Sequence, residues 1–349
     1  MAHALLARAE AAAFRGLMAL PRPVMRRLAG RPVVLDGQRL DVETQWMLRI
    51  RQLVREPDAA ELDFPTARAL IDRQTRMTGG RQPIGEVRDL DVPGGAGPVA
   101  ARLYVPRSAA PTSPLLVFLH GGGFMYGGLA SHDASCRLLA ERAGARVLAV
   151  DYRLAPEHVF PAAVDDAWAA YQWAAEHADR LGADPDRIGV AGDSAGGCLA
   201  AIVARRAAES GVPCALQLLV YPIANAVDPS ASRTAFAEGF YLTERFIDLA
   251  EKTYVAGADL RDPEVSIAYT EKLPDGLAPA IVVTAGFDPL RDEGEEWART
   301  LADAGVDVTL RRYGGLVHGF CNMAPLCPVV EAAMREISAK IAALIHTSA

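Results

Sequence analysis

Val190-Ala191-Gly192-Asp193-Ser194-Ala195-Gly196-Gly197 sets one serine between two glycines, directly after a short β-rich run (Arg187 to Ala191) and directly before a good helix former (Ala195 to Ala208). The G-x-S-x-G pattern has a steric meaning. A serine held on a sharp, strained turn needs neighbours without Cβ atoms, so glycines at 192 and 196 let strand and helix approach closely. Ser194 is thereby offered at the carboxyl edge of a sheet, above the N-terminus of the following helix. In a chain with 30 glycines the pattern takes its weight from what surrounds it.

Outward from this turn, short β runs alternate with helical ones: strand Leu115 to Leu119, helix from Asp133, strand Val147 to Val150, helix Ala162 to His177, then the Arg187 strand with its helix, and strand Leu216 to Val220. The series resumes after a proline-bearing stretch with strand Ile281 to Thr284, helix Asp292 to Ala304, strand Val306 to Arg312 and helix Val329 to Ile345. Such alternation predicts an α/β fold with a mostly parallel sheet flanked by helices. Ile84 to Val105, broken at Pro93-Gly94-Gly95, reads as an antiparallel hairpin that opens the sheet. The first eighty residues are mostly helical (Asp41 to Glu56 and Phe64 to Met77) and carry no obvious chemistry. We expect residues 1–80 to form a helical cap region, residues 81–224 and 266–349 the catalytic domain, and 225–265 a cap insertion.

Residues 1 to about 30 predict an amphipathic helix broken at Pro21 and Pro23, with Leu6, Ala13, Leu17 and Leu20 on one side and Arg8 and Arg15 on the other. Packing on its own domain is the plain reading. The sharper one is peripheral membrane contact through residues 1–31, in which these arginines, with Arg22, Arg26, Arg27 and Arg31, meet anionic lipid. Arg8, Glu10 and Arg15 interrupt any secretory h-region. Five cysteines (136, 198, 214, 321 and 327) form no C-x-x-C pattern, so reduced thiols in the cytoplasm are expected. A net charge of −7 offers no footprint for nucleic acid, and no stretch reaches the length of a membrane span. Neither metal nor organic cofactor is called for, and the chain is expected as a monomer or homodimer.

Serine is a poor nucleophile at neutral pH and needs a base, which in turn needs a carboxylate to hold its tautomer. Where a serine on such an elbow is the nucleophile, the acid and then the histidine follow it in the chain. Of seven histidines only His318 and His346 come after Ser194. His318, in Gly314-Gly315-Leu316-Val317-His318-Gly319-Phe320, has the loop position; His346 sits three residues from the end. For the carboxylate, Asp288 comes first after its strand, whereas Asp292 reads equally well as an N-cap or first-turn charge. His120-Gly121-Gly122-Gly123-Phe124 follows a strand, and consecutive glycines can turn successive N–H groups toward one point, as a developing oxyanion requires. No G-x-G-x-x-G leads from it into a helix, which counts against a dinucleotide. His120 is assigned to shaping the loop, with His132 and His158 structural.

HGGGF at 120–124, DYRLAPEH at 151–158, GDSAGG at 192–197, DPLRDEG at 288–294 and HGF at 318–320 together resemble the hormone-sensitive-lipase-like esterases, the bacterial family IV of the α/β-hydrolases. The likeness runs from about Val105 to Ile345. It implies the α/β-hydrolase fold with a helical cap, a Ser194, Asp288, His318 triad, and an oxyanion hole from the N–H groups of Gly122, Gly123 and Ala195. It also implies a serine carboxylesterase taking small-molecule acyl esters of short to medium chain through an acyl-enzyme. Cys198, Pro263-Glu264-Val265-Ser266-Ile267 and the longer first forty residues depart from the family pattern and bear on the cap. Phe124, Tyr152, Phe240, Tyr241, Leu290 and Val317 are the expected pocket residues. The same machinery could act on amides, lactones or carbamates or as an acyltransferase; a different class is a non-catalytic small-molecule receptor.

Overall fold

The computed structural model describes residues 2–80, 82–324 and 326–346, with the backbone alone for residues 2–8 and 76. The chain opens with α1 (Ala2–Met18), α2 (Arg22–Leu28), a two-stranded ribbon of β1 (Val34–Leu35) and β2 (Gln38–Arg39), α3 (Val42–Leu53) and α4 (Phe64–Gly79). Then follow β3 (Glu86–Gly94), β4 (Gly97–Val105), β5 (Ser113–Leu119), α5 (Asp133–Ala143), β6 (Arg146–Val150), α6 (Ala162–Glu176), α7 (Ala178–Leu181), β7 (Ala183–Asp193), α8 (Ala195–Ser210) and β8 (Gln217–Val220). Two helices, α9 (Ala231–Ala235) and α10 (Glu244–Val255), come before β9 (Ala280–Phe287), α11 (Arg291–Asp303), β10 (Val308–Val317) and α12 (Pro328–Ile345).

The eight strands β3 to β10 form one sheet in the order β10-β9-β8-β7-β5-β6-β4-β3. Only the β3–β4 and β4–β6 pairings are antiparallel. Because side chains alternate across a strand, β5 sends Leu115, Val117 and Leu119 to one apolar layer and Leu116 and Phe118 to the other. The first layer packs under α6, α8 and α11, the second under α5, α12 and the N-terminal helices. A strand buried on both faces is apolar throughout, and β5 shows this in its run Ser-Pro-Leu-Leu-Val-Phe-Leu.

The N-terminal helices are tied to the carboxyl ends of the strands. Asp41 and Asp63 cap α3 and α4 by accepting from Glu43 N and Thr66 N. Asp41 N donates to Gly315 O at 2.9 Å, and Gln38 Nε2 to Gly286 O at 3.1 Å, so the ribbon grips the end of the sheet beside β9 and β10. From α4, Arg68 forks onto Glu157 while reaching the carbonyls of Met125 and Ala155. The face of α1 differs from the expected one. Met18 is buried and Phe14 half-buried, whereas Ala13 and Leu17 are exposed, Leu20 lies past the helix end, and the side chains of Leu6 and Arg8 are outside the described residues. In so alanine-rich a helix the apolar pattern barely distinguishes neighbouring positions, and docking against α3 and α4 decides. Among the described residues no helix is long and apolar enough to cross a membrane.

Candidate active site

The turn between β7 and α8 stands as its glycines predict. Ser194 has φ 56° and ψ −120°, a region L residues rarely occupy. A Cβ on Gly192 would sit 2.0 Å from Gly196 O, and one on Gly196 would sit 2.0 Å from Leu119 O. Both obstacles are backbone, so only glycine fits. Ser194 N donates to Val220 O at 2.9 Å, which pins the turn to the neighbouring strand.

Asp288 follows the last residue of β9 and His318 the last of β10, so adjacent parallel strands deliver both to the serine's side of the sheet. His318 Nε2 lies 2.9 Å from Ser194 Oγ, and His318 Nδ1 lies 2.9 Å from Asp288 Oδ2. Asp288 is fully buried, and its Oδ1 accepts from Leu290 N at 2.9 Å. A carboxylate at Nδ1 keeps the imidazole proton there and turns the Nε2 lone pair to the serine hydroxyl, the arrangement of a general base. The other candidates lie elsewhere. Asp292 sits in the first turn of α11, where it accepts from Ser232 N and pairs with Arg291; His346 contacts Ala143 O.

Beside the serine, the N–H groups of Gly122, Gly123 and Ala195 donate no hydrogen bond among the described residues, and Ala195 opens α8, whose dipole favours negative charge at that end. The glycine loop is anchored by Asp193, whose Oδ1 accepts from Gly121 N at 2.9 Å and lies 3.2 Å from His132 Nε2. Burial opposes ionisation of this carboxyl, but His132 and the Gly121 amide outweigh it and hold Asp193 below the usual carboxylate range. His120, buried and stacked on Tyr152 at 4.2 Å, is pushed down to about 3 by desolvation and is neutral. His132 is the residue the sequence conceals: its ring also approaches Asn322 Nδ2 at 3.2 Å, a meeting of segments 190 positions apart that no local pattern signals.

Two cavities meet at Ser194. A gorge of about 340 Å³ is lined by Gly121 to Gly123, Ser194 and His318 and, from the flanking segments, Arg51, Gln74 and Tyr241. A slot of about 40 Å³ opens between Gly123, Phe124, Phe246, Tyr254 and Leu290. Of the expected pocket residues, Tyr241 lines the gorge and Phe124 and Leu290 the slot. Tyr152, Phe240 and Val317 line neither. Tyr152 is buried behind the glycine loop, with its hydroxyl on His120 O at 2.5 Å; Phe240 packs on Phe236 and Phe287; Val317 ends β10 with its side chain in the core. Among the described residues no group of His, Cys, Asp and Glu is arranged to hold a metal ion.

Residues 116–322 match the alpha/beta hydrolase fold family. The carboxylic ester hydrolase LipN of Mycobacterium tuberculosis is 45% identical over 88% of this chain and 84% of its own. The arylesterase of Saccharolobus solfataricus is 33% identical over 80% of this chain and 92% of its own. Among solved structures, an ester hydrolase from the metagenome of Lake Arreo superposes with a TM-score of 0.84 at 37% identity, covering 88% of this chain and all of that one. With a 45% identical relative spanning most of its length, the chain belongs to the carboxylic ester hydrolases of the alpha/beta hydrolase fold.

Proposed function

We propose that Ser194, His318 and Asp288 act as nucleophile, base and orienting carboxylate of a two-step acyl transfer. The observation that carries this is the relay of two 2.9 Å contacts from Asp288 through His318 to Ser194. His318 takes the hydroxyl proton as Ser194 Oγ attacks the ester carbonyl. The amides of Gly122, Gly123 and Ala195 receive the tetrahedral oxyanion, one such donor being worth on the order of 10²–10³ in rate. Protonated His318 then gives its proton to the departing alkoxide, and water, activated by the same imidazole, releases the acid.

Proton delivery also sorts the two cavities. The leaving oxygen must lie within reach of His318 Nε2, and His318 lines the gorge but not the slot. The alcohol part therefore occupies the gorge and the acyl part the slot. At about 40 Å³ the slot is far smaller than the gorge of about 340 Å³, so it takes the smaller part of the ester. Acetyl and propionyl esters are the preferred acyl classes, the short end of the family range. Residues 1–80 and 225–265 are assigned as the cap, because α4 lines the gorge wall and α10 roofs the slot. The cytoplasm is the proposed compartment, supported by five free cysteines. The N-terminal layer, with ten arginines against four carboxylates in residues 1–55 and exposed Val24, Leu28 and Val34, is proposed to touch anionic lipid.

Ser194→Ala should abolish turnover of p-nitrophenyl acetate while the folded chain remains. Undiminished hydrolysis by that variant would sink the assignment.

A further inference from the structure

A second cavity of about 330 Å³ lies beneath α1, walled by Phe14 and Leu17 of α1, Met47 and Ile50 of α3, Met77 of α4, and Met323. It is a space with flexible apolar walls, in which thioether side chains adapt readily to an occupant. Its roof is held by the Arg73–Glu10 ion pair at 3.4 Å and by Arg15 Nε donating to Met77 O at 3.3 Å. Its volume nearly equals that of the gorge, and it shares Arg51, Glu56, Gln74, Thr75, Tyr241 and Asn322 with it as common wall.

That wall is built largely of movable side chains. Arg51 pairs closely with Glu56, and Gln74 Nε2 donates to Glu56 Oε1 at 2.8 Å. The Arg51 guanidinium lies 4.4 Å from the centre of the Tyr241 ring, while its Nη1 is buried without an acceptor. Turning the guanidinium aside needs side-chain rotation alone, with no movement of backbone, at the cost of its pairing with Glu56 and its contact with Tyr241. Tyr241 stands next to the catalytic histidine's neighbour: a Cβ on Gly319 would lie 3.0 Å from its ring. A group leaving toward His318 thus runs along Tyr241 and meets the partition.

We propose that the gorge and the second cavity form one continuous site for the alcohol part of the substrate, so that the enzyme takes esters of a short acid with a long-chain aliphatic alcohol. The proposal rests on the assignment of the alcohol to the gorge. The first carbons lie beside His318 and Tyr241; the distal chain passes Arg51 and ends against Met47, Ile50 and Phe14. The acyl slot stays small, so lengthening the acid gains nothing while lengthening the alcohol does.

The test is a series of alkyl acetates from butyl to decyl, followed by acid release, on the full chain and on Ala13→Trp. Ala13 lines the second cavity but not the gorge, and it is exposed on α1, so an indole there fills the space without displacing core. Each buried methylene is worth roughly a factor of four, so kcat/KM should rise at least tenfold from hexyl to decyl acetate in the native chain. In Ala13→Trp that ratio should collapse toward one. Leu17→Trp, at a position 40% exposed, repeats the test should the first variant fold poorly. A native ratio near one, or the same ratio in native chain and plugged variant, overturns the proposal while p-nitrophenyl acetate turnover leaves the acyl-transfer reading standing. Absence of all ester turnover overturns that reading, and this one with it.

Discussion

Replacing Ser194 by glycine should make the protein more stable than replacing it by alanine. Both variants lose the hydroxyl and its contact with His318, so their difference isolates the backbone. At φ 56° and ψ −120° a residue with a Cβ is strained, at a cost of about 1–3 kcal/mol. Glycine removes that strain. Against it stand the lost burial of one methyl-sized group, about 0.8 kcal/mol, and the added freedom of the unfolded chain, about 0.4–1 kcal/mol. With the strain at the middle of its range, the balance favours glycine by about 0.5 kcal/mol. In a domain of 349 residues this moves the thermal midpoint by less than about 1 °C, so urea unfolding curves at matched slope are the better assay. An alanine variant as stable as the glycine one, or more so, would refute the claim that this turn stores strain.

Two other expectations concern the surroundings of the site. Glu293 is buried and pushed up to about 8, chiefly by desolvation, with the Ala224 and Asn225 amides pulling the other way. A free glutamate titrates near 4.3, so between about pH 4.5 and 8 the folded chain keeps a proton that the unfolded chain has lost, and this group's contribution to stability falls as pH rises, by roughly 1.4 kcal/mol per unit. Glu293→Gln keeps an acceptor for the two amides and should flatten that slope in unfolding curves; an unchanged slope would place the protonation elsewhere. For the N-terminal layer, full-length protein should sediment with phosphatidylglycerol vesicles at low salt and be released as salt rises, and Arg26→Glu with Arg27→Glu should weaken the binding. Equal recovery with neutral and anionic vesicles would dismiss lipid contact.

The elbow was legible because its requirement is local: two glycines four residues apart mark where strand and helix touch. Asp288 and His318 were legible because each follows a β run within a few residues, and parallel strands bring such positions to one edge. Helix and strand identities in the alternating region follow from period alone, with boundaries that differ by a few residues, as at β7, which begins at Ala183 rather than Arg187. What depended on packing between distant segments was hidden. Whether Leu17 or Met18 faces inward on α1 is set by α3 and α4; Tyr152 and Val317 adjoin motif residues in the chain, yet their side chains point into the core. The β1–β2 ribbon has two residues per strand, too few for any alternation to be read. His132 acquires its partners only when the chain near Asn322 folds over it.

Asp193 joins the turn that carries Ser194 to the loop of Gly121 to Gly123, so both belong to one body inside the sheet, while α1, α3, α4 and α10, which shape the gorge, the slot and the second cavity, belong to segments attached at its rim. Heritable change can then act on the two at different rates. The strained core tolerates almost no alteration, since the atoms nearest to Gly192 and Gly196 are backbone. Away from its ties to Gly286, Gly315 and Met125 the rim can be resurfaced with far less disturbance, so changes of substrate are more readily reached there than in the core.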